Sequence, residues 1–439
     1  MLKIANRREK GIYALFARYV SLNIVSIIAV SCYVLADTFF ISRSGGPDGI
    51  TVLNLCLPIY NIIYAIGAMI GTGSAIRFTI EKNEGRRSRY FTNALLWCLI
   101  FGLAAALIGG SRPDLILHLM GGDSQIVRIG IPYLRIFILF SPFFMANQVF
   151  TAFVRNDGAP ALSMTATMSS SLFNILFDYI FVFPMGMGIA GAGLATAISP
   201  VVSISICCLH FLAGDNNLHI RKMLPDVRLL VSSCKLGISS FVAEMSQGVT
   251  TTLFNFLILG LEGNIGVAAY GIVANFSIVG TSLFNGLAQG TQPLISRFHL
   301  TGEEKKKRQI LRLGIITALC IALLINLAAW TQTDLLISIF NSSRSAMLSR
   351  IAHPGLRIYF TGFLCSGLNI FLASSFSADD KAAASACVSL SRGFAAICAF
   401  ALVLSRLFGM TGIWASYPAA EAFTLMLALG WLISGSRKK

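Results

Sequence analysis

Three carboxylates stand where a carboxylate is expensive. Asp37 follows an apolar run in Tyr33-Val34-Leu35-Ala36-Asp37-Thr38-Phe39-Phe40-Ile41. Asp178 sits in Leu172-Phe173-Asn174-Ile175-Leu176-Phe177-Asp178-Tyr179, and Glu244 in Phe241-Val242-Ala243-Glu244-Met245-Ser246-Gln247. An acid near the middle of a lipid-facing helix costs roughly 2.5–3.5 kcal/mol, so each is expected to face a cavity or a partner. Asn174 precedes Asp178 by one helical turn, which puts amide and carboxylate on one face. A carboxyl held out of water can exchange a proton near neutral pH. With amide and hydroxyl oxygens around it, the same group suits a hard cation such as Na⁺. Either chemistry can couple an ion gradient to the movement of a second solute. A structural reading stands beside it, in which the acids pair with Arg135, Arg357 or Arg392.

Such acids need a scaffold of helices in lipid, and the composition supplies one. Of 439 residues, 55% are hydrophobic and 12% charged, about half the charged fraction of a soluble protein. Runs of roughly 20 apolar residues, enough to cross a bilayer, centre near Ile27, Ile66, Ile100, Leu139, Leu172, Ser203, Val249, Ile278, Leu323, Cys365, Ala395 and Leu427. The first run continues from about Ile12 to Ile41, far past the apolar region of a signal peptide, so it reads as a retained helix. Gly-, Pro- and Asp-rich turns punctuate the runs at Ser44-Gly45-Gly46-Pro47-Asp48-Gly49, Gly121-Gly122-Asp123, Asn156-Asp157-Gly158 and Asp215-Asn216-Asn217. The expectation is an all-α integral membrane protein of twelve transmembrane helices in two six-helix lobes. An N-lobe over 1–213 and a C-lobe over 229–439 would be joined by a cytoplasmic loop at 214–228.

The two halves repeat. Leu134-Arg135-Ile136 recurs as Leu356-Arg357-Ile358, Asn147 as Asn369 and Asp157 as Asp379, all at an offset of 222 positions (Arg135 to Arg357). Gly71-Thr72 with Arg77-Phe78 recurs as Gly290-Thr291 with Arg297-Phe298, allowing a one-residue slip. An even number of helices per half gives both halves one orientation, hence a parallel pseudo-two-fold repeat, a plan on which transporters build a central site.

The formal charge of +15 does not signal nucleic acid. Its clusters (Lys3 to Lys10, Lys82 to Arg89, Arg221 to Lys235, Lys305 to Arg312, and Arg437 to Lys439) fall at even-numbered connections or termini. That is the positive-inside pattern and predicts both termini in the cytoplasm. The ten cysteines lie mostly inside apolar runs without a C-x-x-C pair, and the five histidines show no ligand spacing, so no metal beyond a possible Na⁺ is expected. Neither a Walker phosphate loop nor a hydrolase motif occurs, so the reading is of a transporter, not an enzyme, without cofactor or ATPase partner.

With those residues in hand, the chain resembles the multidrug and toxic compound extrusion (MATE) family. The resemblance rests on Ala36-Asp37-Thr38-Phe39-Phe40-Ile41 and on Gly71-Thr72-Gly73-Ser74-Ala75. It also rests on Asn174-x-x-x-Asp178 with Gly191-Ala192-Gly193-Leu194-Ala195-Thr196, and on Ala288-Gln289-Gly290-Thr291-Gln292-Pro293. It implies an ion-coupled antiporter, driven by H⁺ or Na⁺, that exports small cationic or amphipathic organic compounds by alternating access across a bacterial inner membrane. In one branch the ion site would map onto Asp37, Asn174, Asp178 and Thr196, all chemically intact here. Another branch's C-lobe site would use Glu244 as a substrate or proton group, but the tenth helix offers Ser366 and Asn369 where an acid is wanted. Ser42 and Phe298-His299-Leu300 also depart from the family pattern. The rival within transport is a flippase for lipid-linked saccharides, which should show a cationic cavity. Rivals outside it are an intramembrane enzyme and a non-transporting membrane partner.

Overall fold

The computed structural model describes residues 11–81, 83–120, 124–212, 216–340 and 346–437. Outside them fall Lys3, Arg7, Arg8, Lys10, Lys82, Lys438 and Lys439, the turn Gly121-Gly122-Asp123, Asp215, and the expected lobe boundary at 213/214.

Among the described residues the chain is helical apart from short turns and the stretch 216–226, and it has no strand. Helix α1 (Ile12–Ile80) contains two passages. A Cβ on Gly49 would stand 3.0 Å from the Ile41 carbonyl oxygen, whereas eight residues of straight helix advance about 12 Å. Then come α2 (Glu84–Ser111), α3 (Pro113–Leu119), α4 (Ser124–Leu139), α5 (Ser141–Asn156), α6 (Pro160–Val182) and α7 (Gly188–Cys208). The second half has α8 (Val227–Leu300), α9 (Glu304–Thr331), α10 (Thr333–Phe340), α11 (Ala346–Thr361), α12 (Phe363–Ala378), α13 (Ala382–Leu390) and α14 (Ala396–Arg437). Helices α8 and α14 each break at a glycine, Gly263 (φ 62°, ψ −153°) and Gly409 (φ 55°, ψ −132°). A side chain is strained in that region of backbone space, so glycine marks both breaks.

Among the described residues seven helices are long and apolar enough to cross a membrane, and nine do so if the bent pairs α4–α5 and α11–α12 each count as one span. The break at Gly409 divides one of these candidates, Ala382–Ile433, into two arms. Helix α6 and the first arm of α8 complete the twelve passages. Both carry Ser, Thr, Asn and acidic residues along their length, which lowers mean hydropathy without shortening the helix. Polar residues are tolerated in a span when they point into protein rather than lipid.

The repeat holds element by element. Helices α2 and α9 are both 28 residues long, and each is followed by a short helix that opens with an acid, Asp114 in α3 and Asp334 in α10. The pair α4–α5 bends by 45° and α11–α12 by 42°, all four helices having 16 residues. Pro132 and Pro354 lie inside the first member of each pair.

Contacts gather the chain into two compact units. Val25–Glu244 forms the N-terminal unit, and Met245–Lys439 with the stretch up to Ile24 forms the C-terminal unit. Each therefore takes in a half-helix that lies outside the 1–213 and 229–439 division. In the N-terminal unit a Cβ on Gly73 or Gly237 would collide with the Ser233 or Met69 carbonyl oxygen, so α8 begins packed backbone to backbone on the second passage of α1. In the C-terminal unit a Cβ on Gly286 or Gly290 would meet Ile24 or Val20 backbone at 2.8 Å. Small residues permit this approach, which supplies dispersion contacts where lipid offers no hydrophobic driving force.

Each unit also pins its loops on an aspartate just past a helix end. Asp157, after α5, accepts His210 Nε2, the Asn217 backbone N–H and Asn217 Nδ2, each at 2.8 Å, with Arg87 at 4.0 Å. Asp379, after α12, accepts His299 Nδ1 at 2.9 Å, Lys307 Nζ at 2.6 Å and Lys381 Nζ at 2.7 Å. Arg87 and Lys307 occupy equivalent places, three residues into α2 and α9. Burial alone would push the Asp379 carboxyl up, but hydrogen bonds from His299, Lys307 and Lys381 overcome it and hold the group well below the usual carboxylate range.

Candidate functional site

Helix α6 has two faces. Ser171, Asn174 and Asp178 are buried, while Leu172, Leu176 and Tyr179 are 67%, 52% and 52% exposed. Positions three and four apart share a face, so the polar residues line up against protein and the apolar ones against lipid. Helix α7 packs along the polar face and contributes Thr196, itself buried. The first passage of α1 contributes Asp37, 7% exposed. Next to it, Phe40 sets its ring 6.3 Å from Tyr179 and 6.0 Å from Phe183, fixing α1 against α6.

Asp37, Asn174, Asp178 and Thr196 thus come together within the N-terminal unit. The Asp37 and Asp178 side chains approach each other closely, and two carboxyls in contact repel unless a proton or a cation lies between them. Asn174 links the pair to α7: its Nδ2 donates to Asp178 Oδ2 and its Oδ1 accepts the Thr196 hydroxyl, both at 3.1 Å. Asp37 Oδ1 and Asp178 Oδ1 are buried and receive no hydrogen bond. Among the described residues no group of three His, Cys, Asp or Glu side chains gathers around a common point.

Glu244 stands apart. It is half-buried on the first arm of α8, and among the described residues it makes no hydrogen bond or ion pair with the four. The three arginines also differ in kind. Arg135 is exposed on α4. Arg357 lies 5.7 Å over the Trp330 ring and lines a cavity of about 430 Å³ with Trp330, His353, Pro354, Ile358 and Thr361. Arg392 is half-buried and pairs with the buried Glu421 at 2.8 Å.

Glu421 is the residue that sequence reasoning missed. It is 1% exposed, on the second arm of α14. Asn369 Nδ2 donates to its Oε2 at 2.7 Å and to its backbone carbonyl at 2.8 Å. Around Arg392, the Ser366 hydroxyl accepts an N–H at 3.0 Å and the Tyr417 hydroxyl at 2.8 Å. Ser366 and Asn369, noted as standing where an acid was wanted, are polar partners of an acid supplied by a different helix. The signal was available, since Glu421 interrupts an apolar run as Asp37 and Asp178 do.

Twelve helical passages, duplicated six by six around buried polar clusters, define a multi-pass membrane transporter of the internally repeated kind. The MatE family profile matches residues 23–180 and 240–397, one stretch in each half, and the chain belongs to that family. It is 26% identical over 415 residues to the multidrug export protein MepA of Staphylococcus saprophyticus, across 93% of this chain and 91% of that one. Against MepA of Staphylococcus aureus it is 23% identical over 406 residues, covering 90% and 88%. Its fold matches an outward-facing multidrug resistance MATE transporter of the MOP superfamily with a TM-score of 0.88 at 20% identity, covering 96% and 97% of the two chains. It matches the Vibrio cholerae MATE transporter VcmN with a TM-score of 0.89 at 18% identity, covering 98% of each.

Proposed function

We propose that the protein is an H⁺- or Na⁺-coupled antiporter that exports small cationic or amphipathic organic compounds from a bacterial cell by alternating access. Both termini lie in the cytoplasm in this reading, and no cofactor or ATPase partner takes part. One observation carries it: Asp37 and Asp178 meet out of water and, among the described residues, no basic side chain pairs with either. Two such carboxyls hold either a proton or a small hard cation, and each Oδ1 without a donor is a further oxygen ligand. Loading and emptying this site changes the charge inside the N-terminal unit by one. In a medium of low dielectric that change acts strongly on nearby helices and on a cationic solute. Asn174, bonded to both Asp178 and Thr196, links the pair to α7. Export of organic compounds is supported by the MepA relatives, which are multidrug export proteins. Glu244, half-buried and unpaired among the described residues, is the candidate group for a solute cation.

The test is uptake of a fluorescent organic cation into proteoliposomes under separate H⁺ and Na⁺ gradients. Transport follows one gradient in the parent and drops to the level of empty vesicles in Asp37→Asn and Asp178→Asn. Equal transport by parent and variants, with all three folded, sinks the proposal. No flux under either gradient would shift the weight to the flippase reading.

A further inference from the structure

The C-terminal unit has its own buried acid, and it is built differently. At the repeat offset of 222 (Arg135 to Arg357), Ser170 of α6 falls on Arg392 and Ser199 of α7 on Glu421. In the N-terminal unit the Ser170 hydroxyl donates to the Ser199 carbonyl at 2.7 Å, a neutral clasp between two helices. In the C-terminal unit the same crossing holds an arginine and a glutamate. Asn147 and Asn369 are repeat mates as well, and Asn369 serves the glutamate.

We infer that Arg392 is a built-in counter-cation, occupying the acid site of the C-terminal unit so that Glu421 takes up no exchangeable ion during transport. The inference rests on the ion-coupled reading above and deepens it: exchange would be confined to the N-terminal unit because the other acid site is filled by a tethered charge.

The geometry carries the argument. Arg392 donates an Nη2 hydrogen to Glu421 Oε1 at 2.8 Å and another to Ser366 Oγ at 3.0 Å, while Nε reaches Oε2 at 3.4 Å. Asn369 adds a donor to Oε2 at 2.7 Å. Both oxygens of Glu421 are therefore served by fixed donors, whereas Asp37 Oδ1 and Asp178 Oδ1 have none. Guanidinium suits this task, because its planar fork meets both carboxylate oxygens and it does not lose its proton in a protein. Its direction is set by a π-helical turn, Ser391–Ala395, between α13 and α14. Such single turns inside α-helices are rare and occur frequently at functional sites. Buried ion pairs seldom improve stability over an apolar core, so a pair held this deliberately calls for a role other than packing. Tyr359 and Tyr417 face the pair, Tyr270 stands beside Tyr417, and Cys365 lies beside Glu421. Tyrosine and cysteine are uncharged acids at neutral pH, so none of them competes with Arg392 for the glutamate.

The experiment counts titrating carboxyls by infrared difference spectroscopy of the full-length protein in lipid nanodiscs, stepped in pH with and without Na⁺. In the parent, the titrating carbonyl signal disappears in Asp37→Asn and Asp178→Asn and is untouched by Glu421→Gln. Arg392→Met gains one further titrating carboxyl, which Glu421→Gln then removes. Because Arg392→Met leaves a bare buried acid, the charge-free pair Arg392→Met/Glu421→Met is the second variant. In proteoliposomes it exchanges the parental number of ions per solute. Loss of a titrating signal on Glu421→Gln in the parent, absence of a new one in folded Arg392→Met, or loss of one exchanged ion in the charge-free pair each overturns the inference. A failure of the antiport reading looks different: Asp37→Asn and Asp178→Asn would keep ion-driven flux, while the Glu421 signals would still report on Arg392.

Discussion

The two buried polar clusters use similar side chains to opposite ends. In the N-terminal unit two carboxyls face each other, and an asparagine and a threonine complete the ring. In the C-terminal unit one carboxylate faces an arginine, and an asparagine, a serine and a tyrosine complete it. The first cluster is net negative unless something enters it; in the second, the carboxylate and the guanidinium cancel. An acid in a low-dielectric core is stable only when its charge is answered. What answers it decides whether the site can open and close: a mobile ion leaves, and a tethered guanidinium does not.

The largest way to break that comparison is to make the same change, acid to amide, on both sides. Glu421→Gln strands the Arg392 guanidinium out of water, and losing one partner of a buried pair costs about 3–5 kcal/mol. Asp178→Asn strands nothing. Its new amide can donate to Asp37, and a hydrogen bond to a charged group contributes about 1.5–3 kcal/mol, so stability is unchanged or raised while ion-driven transport is lost. Unfolding in detergent, followed for both variants beside the parent, reads the two signs. Equal destabilisation by both would mean that the clusters are alike after all.

The loop clasps give a second, smaller contrast. The Asp157 side chain is 1% exposed and the Asp379 side chain 12%. Asp157 holds Asn217 by backbone and side chain together, so its loss frees the start of the connection between the halves. Asp157→Ala is expected to cost about 2–3 kcal/mol, from donors left without an acceptor, and to expose residues 216–226 to limited proteolysis. Asp379→Ala leaves three exchangeable cations nearer to water and costs less. If proteolysis of the connection is unaffected by Asp157→Ala, its backbone is held by something else.

Much of this was legible in the sequence, for reasons that differ by residue. The twelve passages follow from apolar runs, and α6 was recognisable despite its serines because Asn174 and Asp178 share a face. The repeat was readable through residues rare in lipid, Arg135 with Arg357 and Asp157 with Asp379. The exchanged half-helices were not. Gly73 against Ser233 and Gly290 against Tyr19 join residues far apart along apolar faces that resemble every other apolar face. The histidines were dismissed for lacking metal-ligand spacing, yet His210 and His299 each hold one of the twin aspartates. Such a bond depends on where two loops meet, which spacing along one loop does not encode. Glu421 went unnoticed because its partner Arg392 lies on another helix and reaches it through a π-turn.

The Asp379 clasp sharpens the contrast through pH. Its carboxyl is held below the usual carboxylate range in the folded protein, so its contribution is present above the unfolded value, about 3.9. It is lost as pH falls from there toward the folded value. The parent should therefore lose stability between about pH 4 and lower values more steeply than Asp379→Asn, in thermal unfolding at fixed ionic strength. Parallel curves would show that the three donors do not favour the ionised form.

The smallest change asks what enters the open cluster. Thr196→Val keeps the shape of the threonine, removes one hydroxyl, and costs about 1 kcal/mol in a lost hydrogen bond to Asn174. If the exchanged ion is Na⁺, that hydroxyl oxygen belongs to a set that must approach complete coordination. Half-saturation should then move to higher Na⁺ by about tenfold, the equivalent of 1.4 kcal/mol. If the ion is H⁺, the proton resides between Asp37 and Asp178, and losing an oxygen on α7 leaves the pH dependence of transport almost where it was. Proteoliposome flux measured against Na⁺ and against pH in the one variant separates the cases. A variant whose flux follows Na⁺ with the parental half-saturation, and which is as stable as the parent, would take Thr196 out of the site and leave Asn174 as the last member of the ring.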